Sequence, residues 1–152
     1  MINVRTQVDI ARPAAEVFAF VSDQTNASHW QEGLHEVRRT THGPIGVGSE
    51  HVFIRVFAGR LIESSNRFVA YDESGLFVEF EIPTGPITGV ASYRVEPTGV
   101  DTCRVTGAVR FRVSGVMRLA TPLLSYVMKR DSERDDRRLK SLLEARNRTH
   151  ST

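Results

Sequence analysis

Thr102-Cys103-Arg104-Val105-Thr106-Gly107-Ala108-Val109-Arg110-Phe111-Arg112-Val113 is the stretch whose pattern sets the architecture. Cys103, Val105, Val109, Phe111 and Val113 fall on one side of an extended chain, and Arg104, Thr106, Arg110 and Arg112 on the other. Successive side chains of a strand point to opposite faces, so this is a strand with one dry and one wet face, as in an antiparallel sheet. Directly after it the period changes. From about Ser114 to Arg146 the chain reads as a long helix, with Met128, Asp135, Leu139 and Leu142 at near-heptad spacing and Leu143 beside them. Pro122 predicts a kink or break in its first part, because proline removes a backbone donor and its ring clashes with the preceding turn. Glu133 with Arg137, and Asp136 with Lys140, stand acid-before-base four residues apart, the spacing of exposed helical ion pairs.

Upstream, Asn3 to Ile10 reads as a strand with Val4, Thr6, Val8 and Ile10 on one side. Pro13 suits the first turn of a short helix that packs through Val17, Phe18, Phe20 and Val21. A second short helical segment is expected over Thr25 to Trp30. Strands follow at Leu34 to Thr41, Glu50 to Phe57, Arg60 to Tyr71, Leu76 to Ile82 and Ile87 to Glu96. They are separated by Gly43-Pro44-Ile45-Gly46-Val47-Gly48, Ala58-Gly59, Asp72-Glu73-Ser74-Gly75, Pro83-Thr84-Gly85-Pro86 and Pro97-Thr98-Gly99. A run of about seven strands with helices set apart from it indicates an α+β fold, not alternating βαβ units. The long helix is the only element large enough to cover the dry face of the sheet. A strongly curved sheet around one helix leaves space between them, where a ligand would go. With no linker, repeat or low-complexity stretch, the chain reads as a single domain over residues 1–148, with a short tail at 149–152.

Composition narrows the class. The 152 residues are 40% hydrophobic and 25% charged, ordinary globular usage that argues against disorder, collagen-like repeats and coiled coils. No run approaches the ~20 apolar residues of a membrane-spanning helix, and the first residues show no signal-peptide pattern. Cys103 is the single cysteine, so neither an internal disulfide nor a cysteine-based zinc site is expected, and a reducing cytoplasm is the expected location. Of the 20 basic residues two are lysine, Lys129 and Lys140, and the other 18 are arginine. The densest cluster, Lys129 to Lys140, also holds Asp131, Glu133, Asp135 and Asp136. Mixed signs describe a solvated helix, whereas a nucleic-acid face would carry one sign, so no nucleic-acid partner is expected.

The stretch Ile10-Ala11-Arg12-Pro13-Ala14-Ala15-Glu16-Val17-Phe18-Ala19-Phe20-Val21-Ser22-Asp23, followed by Trp30, resembles the opening of the START-like superfamily, also called SRPBCC. Gly46-Val47-Gly48-Ser49, Tyr93-Arg94-Val95-Glu96-Pro97, Thr102 before the alternating strand, and Leu139, Lys140, Leu142, Leu143 and Glu144 in the closing helix continue the likeness in order. The branch it looks most like is the polyketide cyclase/dehydrase type. The resemblance implies a helix-grip fold with a largely apolar internal cavity that binds lipids, sterols, polyketides or other hydrophobic molecules, and it does not by itself imply catalysis. Asn26-Ala27-Ser28-His29 departs from the pattern, lacking the proline often found before the tryptophan, which leaves the path of the second short helix open.

The expected ligand-binding residues are Trp30, Phe53, Phe68, Phe80, Tyr93, Phe111, Met117 and Leu123, aromatic and apolar side chains on dry strand faces or near the helix start. Trp30 would serve equally as a core anchor. For an enzyme, an acid or base must stand near a bound carbonyl or hydroxyl, and the weak candidates are Tyr93, Arg55, His51 and Glu79. If Ala58-Gly59 is a two-residue hairpin, Phe57 opposes Arg60 and Phe53 opposes Ser64. His51, Phe53, Arg55, Ile62, Ser64, Asn66 and Phe68 then share one face. A slip of one residue sends Val52, Ile54 and Val56 inward instead. Sequence alone leaves both registers open.

His29, His35, His42, His51 and His150 show no zinc-site spacing and no HExxH motif, so no metal is expected, and no cofactor either. There is no Gly-x-Ser-x-Gly nucleophile turn. The glycine run at Gly43 to Gly48 lacks the Gly-Lys-Ser/Thr ending of a phosphate loop and reads as a mobile loop near the cavity. Cys103, on the dry side, reads as an inert buried thiol. The first expectation is therefore a binding protein for a small hydrophobic molecule held between sheet and C-terminal helix. The second is a cyclase, aromatase or dehydratase acting on a polyketide-like substrate. A third is an interaction surface on the outer face, where Val52, Ile54, Val56 and Leu61 would support a homodimer under the first register.

Overall fold

The computed structural model describes residues 1–57 and 59–149. Its strands are β1 Ile2–Ile10, β2 Leu34–Arg39, β3 Glu50–Phe57, β4 Arg60–Asp72, β5 Phe77–Ile82, β6 Ile87–Pro97 and β7 Cys103–Val113. All pairings are antiparallel, in the order β1-β7-β6-β5-β4-β3-β2. Helix α1, Ala14–Ser22, and a 3₁₀ helix, Gln24–His29, connect the two edge strands β1 and β2. After β7 a 3₁₀ turn, Gly115–Ala120, leads into α2, Thr121–Thr149. This curved sheet gripping one long helix is the helix-grip fold that the sequence suggests. Pro122 breaks the helical run as expected, and the break falls ahead of it, so that the proline occupies the first turn of α2, where its missing N–H costs nothing. Thr149, expected to open the tail, is helical, and 150–152 lie outside the described residues. Among the described residues no helix is long and apolar enough to cross a membrane.

The register decides which side chains face the helix. Phe57 pairs with Arg60 and Phe53 with Ser64, so the first of the two hairpin registers is the one formed. Cross-strand partners share a face, and the concave face carries Ile2, Thr6, Ile10, Cys103, Gly107, Val109, Phe111, Ala91, Tyr93, Val78, Phe80, Phe68, Phe53 and Arg55. Val56 and Leu61, paired on the outer face, are exposed, while Val52 and Ile54 are half-buried. Two glycines lie in the floor. A Cβ on Gly89, at φ +146°, would stand 2.1 Å from the Arg110 carbonyl oxygen, so only glycine allows β6 and β7 to approach there. A Cβ on Gly107 would lie in ordinary contact with the Tyr93 ring at 3.4 Å and the Thr6 hydroxyl at 3.5 Å. The expected mobile loop at Gly43 to Gly48 is stitched down: Gly48 N–H donates to Phe68 O (2.9 Å), Gly46 N–H to Ser49 Oγ (3.1 Å), and Ile45 packs on the core.

Helix α2 is docked unevenly. Leu139 and Leu143 are buried in the core with Phe18, Val21, Phe68, Phe80 and Val105. Lys140 Nζ donates to the Asp9 carbonyl (2.7 Å) and pairs with Glu144 (2.7 Å), whose Oε1 accepts from Ala11 N–H (3.0 Å). These contacts pin the C-terminal half of α2 to the corner between β1 and α1. Toward the N-terminal end, Leu124 and Met128 on the same inner stripe are only half-buried. Leu123 and Tyr126, on the far side, are 63% and 66% exposed. Removing the pinned leucine should therefore cost much more than removing the loose one. Leu139→Ala is expected to destabilise by about 2–5 kcal/mol, the range for a buried leucine, and Leu123→Ala by under ~0.5 kcal/mol. Urea unfolding of both variants checks this, and equal losses would contradict the uneven docking.

Candidate functional site

Under the overhanging half of α2 the concave floor is aromatic with a line of polar groups set into it. Trp30 follows the 3₁₀ helix, its N–H held by the Ala27 carbonyl at 3.2 Å, and is buried at 3% exposure. Its ring meets Tyr93 edge-on at 5.9 Å, and Phe80 flanks the other side of Tyr93 at 6.2 Å. Gln31 Nε2 donates to the Tyr93 hydroxyl (3.3 Å), and Arg55 Nη2 donates to Gln31 Oε1 (3.4 Å). A polar chain thus runs from Arg55 on β3 to Tyr93 on β6. Thr6, Gly107 and Tyr93 form one cross-strand row.

Two carboxylates of α2 close this line from above. Asp136 is 7% exposed and hydrogen-bonded by the Thr6 side chain. Burial raises its carboxyl to a pKa of about 6, with Asp135 and Glu133 adding repulsion. Asp135 is also raised by burial, offset by the Glu32 N–H (3.1 Å to Oδ1), Arg138 and Arg55. Arg138 reaches Glu32 (2.8 Å) and Asp135 (3.6 Å), tying α2 to the segment that carries Trp30 and Gln31. Burial and the charge of Asp136 push the Tyr93 hydroxyl above its usual pKa, so it stays protonated as a donor. Arg55 is packed about by protein, which lowers its pKa, although the residue as a whole stays solvent-exposed.

The structure sorts the expected residues. Trp30, Phe80, Tyr93 and Arg55 come together. Phe53 is buried at 6% exposure in a small cluster with Ala27, Leu34 and Val37, and Arg55 lies over its ring at 6.0 Å. Phe68 is fully buried between His51, Tyr71 and Phe80, inside the core and not on an open wall. Phe111 and Met117 are half-buried. Leu123 points away from the sheet, because the inner stripe of α2 runs through Leu124, Met128, Ser132, Asp135, Asp136, Leu139 and Leu143. Glu79 pairs with Ser92 on the convex face, one residue out of phase with Val78 and Phe80, so it stands across the sheet from Tyr93. His51 is on the concave face but two positions beyond Arg55 behind Phe53.

Gln31, Asp135 and Asp136 were not anticipated. The Asp136–Lys140 surface pair is not formed: Lys140 turns to Glu144 and Asp9, and Asp136 turns inward. Among the described residues Glu133 and Arg137 make no ion pair either, while Arg130–Asp131, Asp135–Arg138 and Lys140–Glu144 are close pairs within α2. The signal available was the phase of Asp135 with Leu139 and Met128, which places a carboxylate on the apolar stripe. Cys103 is buried, its thiol pushed up to about 11 by burial. Among the described residues no three His, Cys, Asp or Glu side chains gather as metal ligands would. Two surface hollows lie elsewhere. One, of about 420 Å³, is lined by His29, Arg134, Arg137, Arg138 and Ser141 on the flank of α2. The other, of about 190 Å³, has His51 and Asn66 of the concave face in its lining together with Glu50, Val52, Ser65 and Arg67 of the convex face.

Similar structures share this architecture. A Thermus thermophilus protein matches with a TM-score of 0.80 at 16% identity, over 94% of this chain and 97% of that one. The Zhui aromatase/cyclase of Streptomyces matches at 0.79 and 17% identity, over 98% and 97%. Norcoclaurine synthase of Thalictrum flavum, solved with dopamine and hydroxybenzaldehyde, matches at 0.66 and 18% identity, over 93% and 86%. At these identities the likeness establishes the fold alone. No protein of curated function matches significantly in sequence. The sequence does match the family described as polyketide cyclase / dehydrase and lipid transport over residues 1–144, and the chain belongs to that family.

Proposed function

We propose that the protein binds a small, largely apolar molecule bearing oxygen functions in the cleft between the strand floor and the overhanging half of α2. The observation that carries this reading is the Arg55–Gln31–Tyr93 chain, set into aromatic walls and faced by Asp136. An apolar body of ~150–250 Å² removed from water would favour binding by about 4–6 kcal/mol at ~25 cal/mol per Å². The polar chain would orient its carbonyl or hydroxyl groups. Trp30, the sole tryptophan, stands at the site and reports on it. Titration with a polycyclic phenol is expected to change Trp30 emission saturably. Tyr93→Phe should weaken that binding about tenfold, the cost of one hydrogen bond in a dry site. Native mass spectrometry of freshly purified protein should detect a bound apolar compound. A flat fluorescence titration together with a ligand-free mass would overturn the reading.

Asp136 favours a second reading, a cyclase-, aromatase- or dehydratase-type reaction. A carboxyl with a pKa near 6 exchanges protons at neutral pH, and a protonated Tyr93 is available to donate to a carbonyl oxygen. In an aldol-type ring closure Asp136 would take the proton α to one carbonyl. The enolate would attack a second carbonyl, and Tyr93 would supply a hydrogen bond to the developing oxyanion. The names of the similar structures, an aromatase/cyclase and norcoclaurine synthase, agree with this class.

The same carboxyl makes a stability prediction. Its folded pKa of about 6 lies above the ordinary 3.8, so the folded state resists its ionisation. The penalty is absent below pH 3.8, grows as pH rises and is complete above about 6. Asp136→Asn keeps an acceptor for Thr6 and removes the buried charge. It should raise unfolding free energy at pH 8 by about 1–3 kcal/mol, at 1.36 kcal/mol per unit, and flatten stability between about pH 4 and 7. Urea titrations across that range check it, and a variant with an unchanged pH slope would contradict the inward placement of Asp136.

A further inference from the structure

Among the described residues, six of the seven buried side-chain polar atoms without a hydrogen-bond partner stand in one row. Strand pairing places Arg39 beside His51 and His51 beside Asn66 on the concave face of β2, β3 and β4. His51 is 0% and Asn66 2% exposed. Both imidazole nitrogens, both amide atoms of Asn66, and Nε and Nη2 of Arg39 are buried without a hydrogen-bond partner among the described residues. Phe68 stacks on His51 at 5.3 Å and Phe53 approaches it at 6.5 Å, so the row is walled by aromatic carbon. An unpaired buried polar group costs ~1–3 kcal/mol, and more when charged. A row this poorly satisfied is expected to take up a complementary group.

The identity of the orphaned atoms specifies what that group is. Nε and Nη2 are adjacent on one edge of the guanidinium and donate in parallel, the fork that grips both oxygens of a carboxylate. Asn66 Nδ2 adds two N–H donors. Burial and the neighbouring Arg39 charge lower the His51 pKa, so the imidazole is neutral at pH 7, with one N–H to donate. Asp23 acts on His51 from a distance, but its Oδ1 already accepts from Thr25 N–H (3.1 Å) and Thr25 Oγ1 (2.6 Å). Among the described residues Arg39 makes no ion pair, so the row carries one cation and calls for one negative charge, whereas a dianionic phosphate would bring a second charge without a partner.

We propose that Arg39, His51 and Asn66 form a binding site for a monocarboxylate, gripped side-on by the Arg39 fork and hydrogen-bonded by Asn66 and His51. Asn66 Oδ1 and the second imidazole nitrogen remain as acceptors, suited to an ordered water. The site stands apart from the Arg55–Tyr93 cleft, because the Ala27, Leu34, Val37 and Phe53 cluster lies between them, and it does not rest on the function proposed for that cleft. A hollow of about 190 Å³ has Thr40, His51 and Asn66 in its lining, and the half-buried Arg39 directly precedes Thr40 at the end of edge strand β2. The carboxylate comes either from a free small acid or from the acid end of a longer apolar chain.

The test uses the full chain at pH 7 and fixed ionic strength, with acetate, decanoate and decanol as probes and chloride as the reference anion. Acetate should raise the melting temperature and shift the NMR signals of the Arg39 Nε–H and the Asn66 side-chain amide, saturably. Arg39→Lys keeps the charge but loses the fork, and should weaken the response about tenfold; Arg112→Lys, on the exposed outer face, should leave it unchanged. If the acid belongs to a longer ligand, decanoate should bind more tightly than acetate and than decanol, with Arg39→Lys removing its advantage over decanol. If the acid is free, acetate should suffice and the chain should add nothing. Absence of any carboxylate-specific response, or an equal response in Arg39→Lys, would overturn the proposal. Should Arg39→Lys fail to fold, the wild-type Arg39 Nε–H signal decides alone: no shift with either acid overturns it.

Discussion

The half-docked helix is the constraint from which the site follows. Leu139 and Leu143 enter the core, and Lys140 and Glu144 bond to the backbone at Asp9 and Ala11. Those contacts fix the axis of α2 relative to β1. Once the C-terminal half is fixed, the direction of the N-terminal half is set as well, since a helix is rigid over a few turns. Toward that end Leu124 and Met128, on the same stripe as Leu139, are left half-buried. An apolar ligand would finish the burial that the helix begins.

Asp136 sits at the boundary between the two halves, one turn before Leu139. It is deep enough for its carboxyl to be hard to ionise and close enough to the floor to meet Thr6. The same geometry accounts for the protonated Tyr93 and the lowered pKa of Arg55. Each group by itself is disfavoured by burial, and together they offset one another through Gln31 and Asp135. Such an arrangement lowers stability locally in exchange for groups poised to meet a polar ligand atom.

The second polar row, Arg39–His51–Asn66, follows from the same register. Had β3 and β4 slipped by one residue, Val52 and Ile54 would face inward and these groups would reach solvent. The hairpin closing at Phe57 and Arg60 thus decides both where Arg55 stands and that His51 and Asn66 are buried. Five residues of β3, from His51 to Arg55, carry one polar group to each end of the Phe53 wall.

Alternation along Thr102 to Val113 and the preceding strands, the breaks between them and the leucine spacing of the last segment were enough to assign the α+β class, the element order and the wet and dry faces. Those properties are local: a period of two or of 3.6 is written in neighbouring residues. Trp30, Phe80 and Tyr93 could be singled out for the same reason, as large side chains on recognisable faces, whereas the face of Arg55 stayed open until the β3–β4 register settled it. Local reading failed where distance along the chain intervened. Asp136 looked like half of a surface ion pair until β1 supplied Thr6, and Gln31 looked like loop until Arg55 and Tyr93 closed on either side of it. The unpaired state of Arg39, His51 and Asn66 exists only when three strands are laid side by side. The sequence determined which residues could be buried; the tertiary structure decided which polar groups were buried together and what partners they lacked, because desolvation depends on every element that packs over an atom and not on the residues next to it.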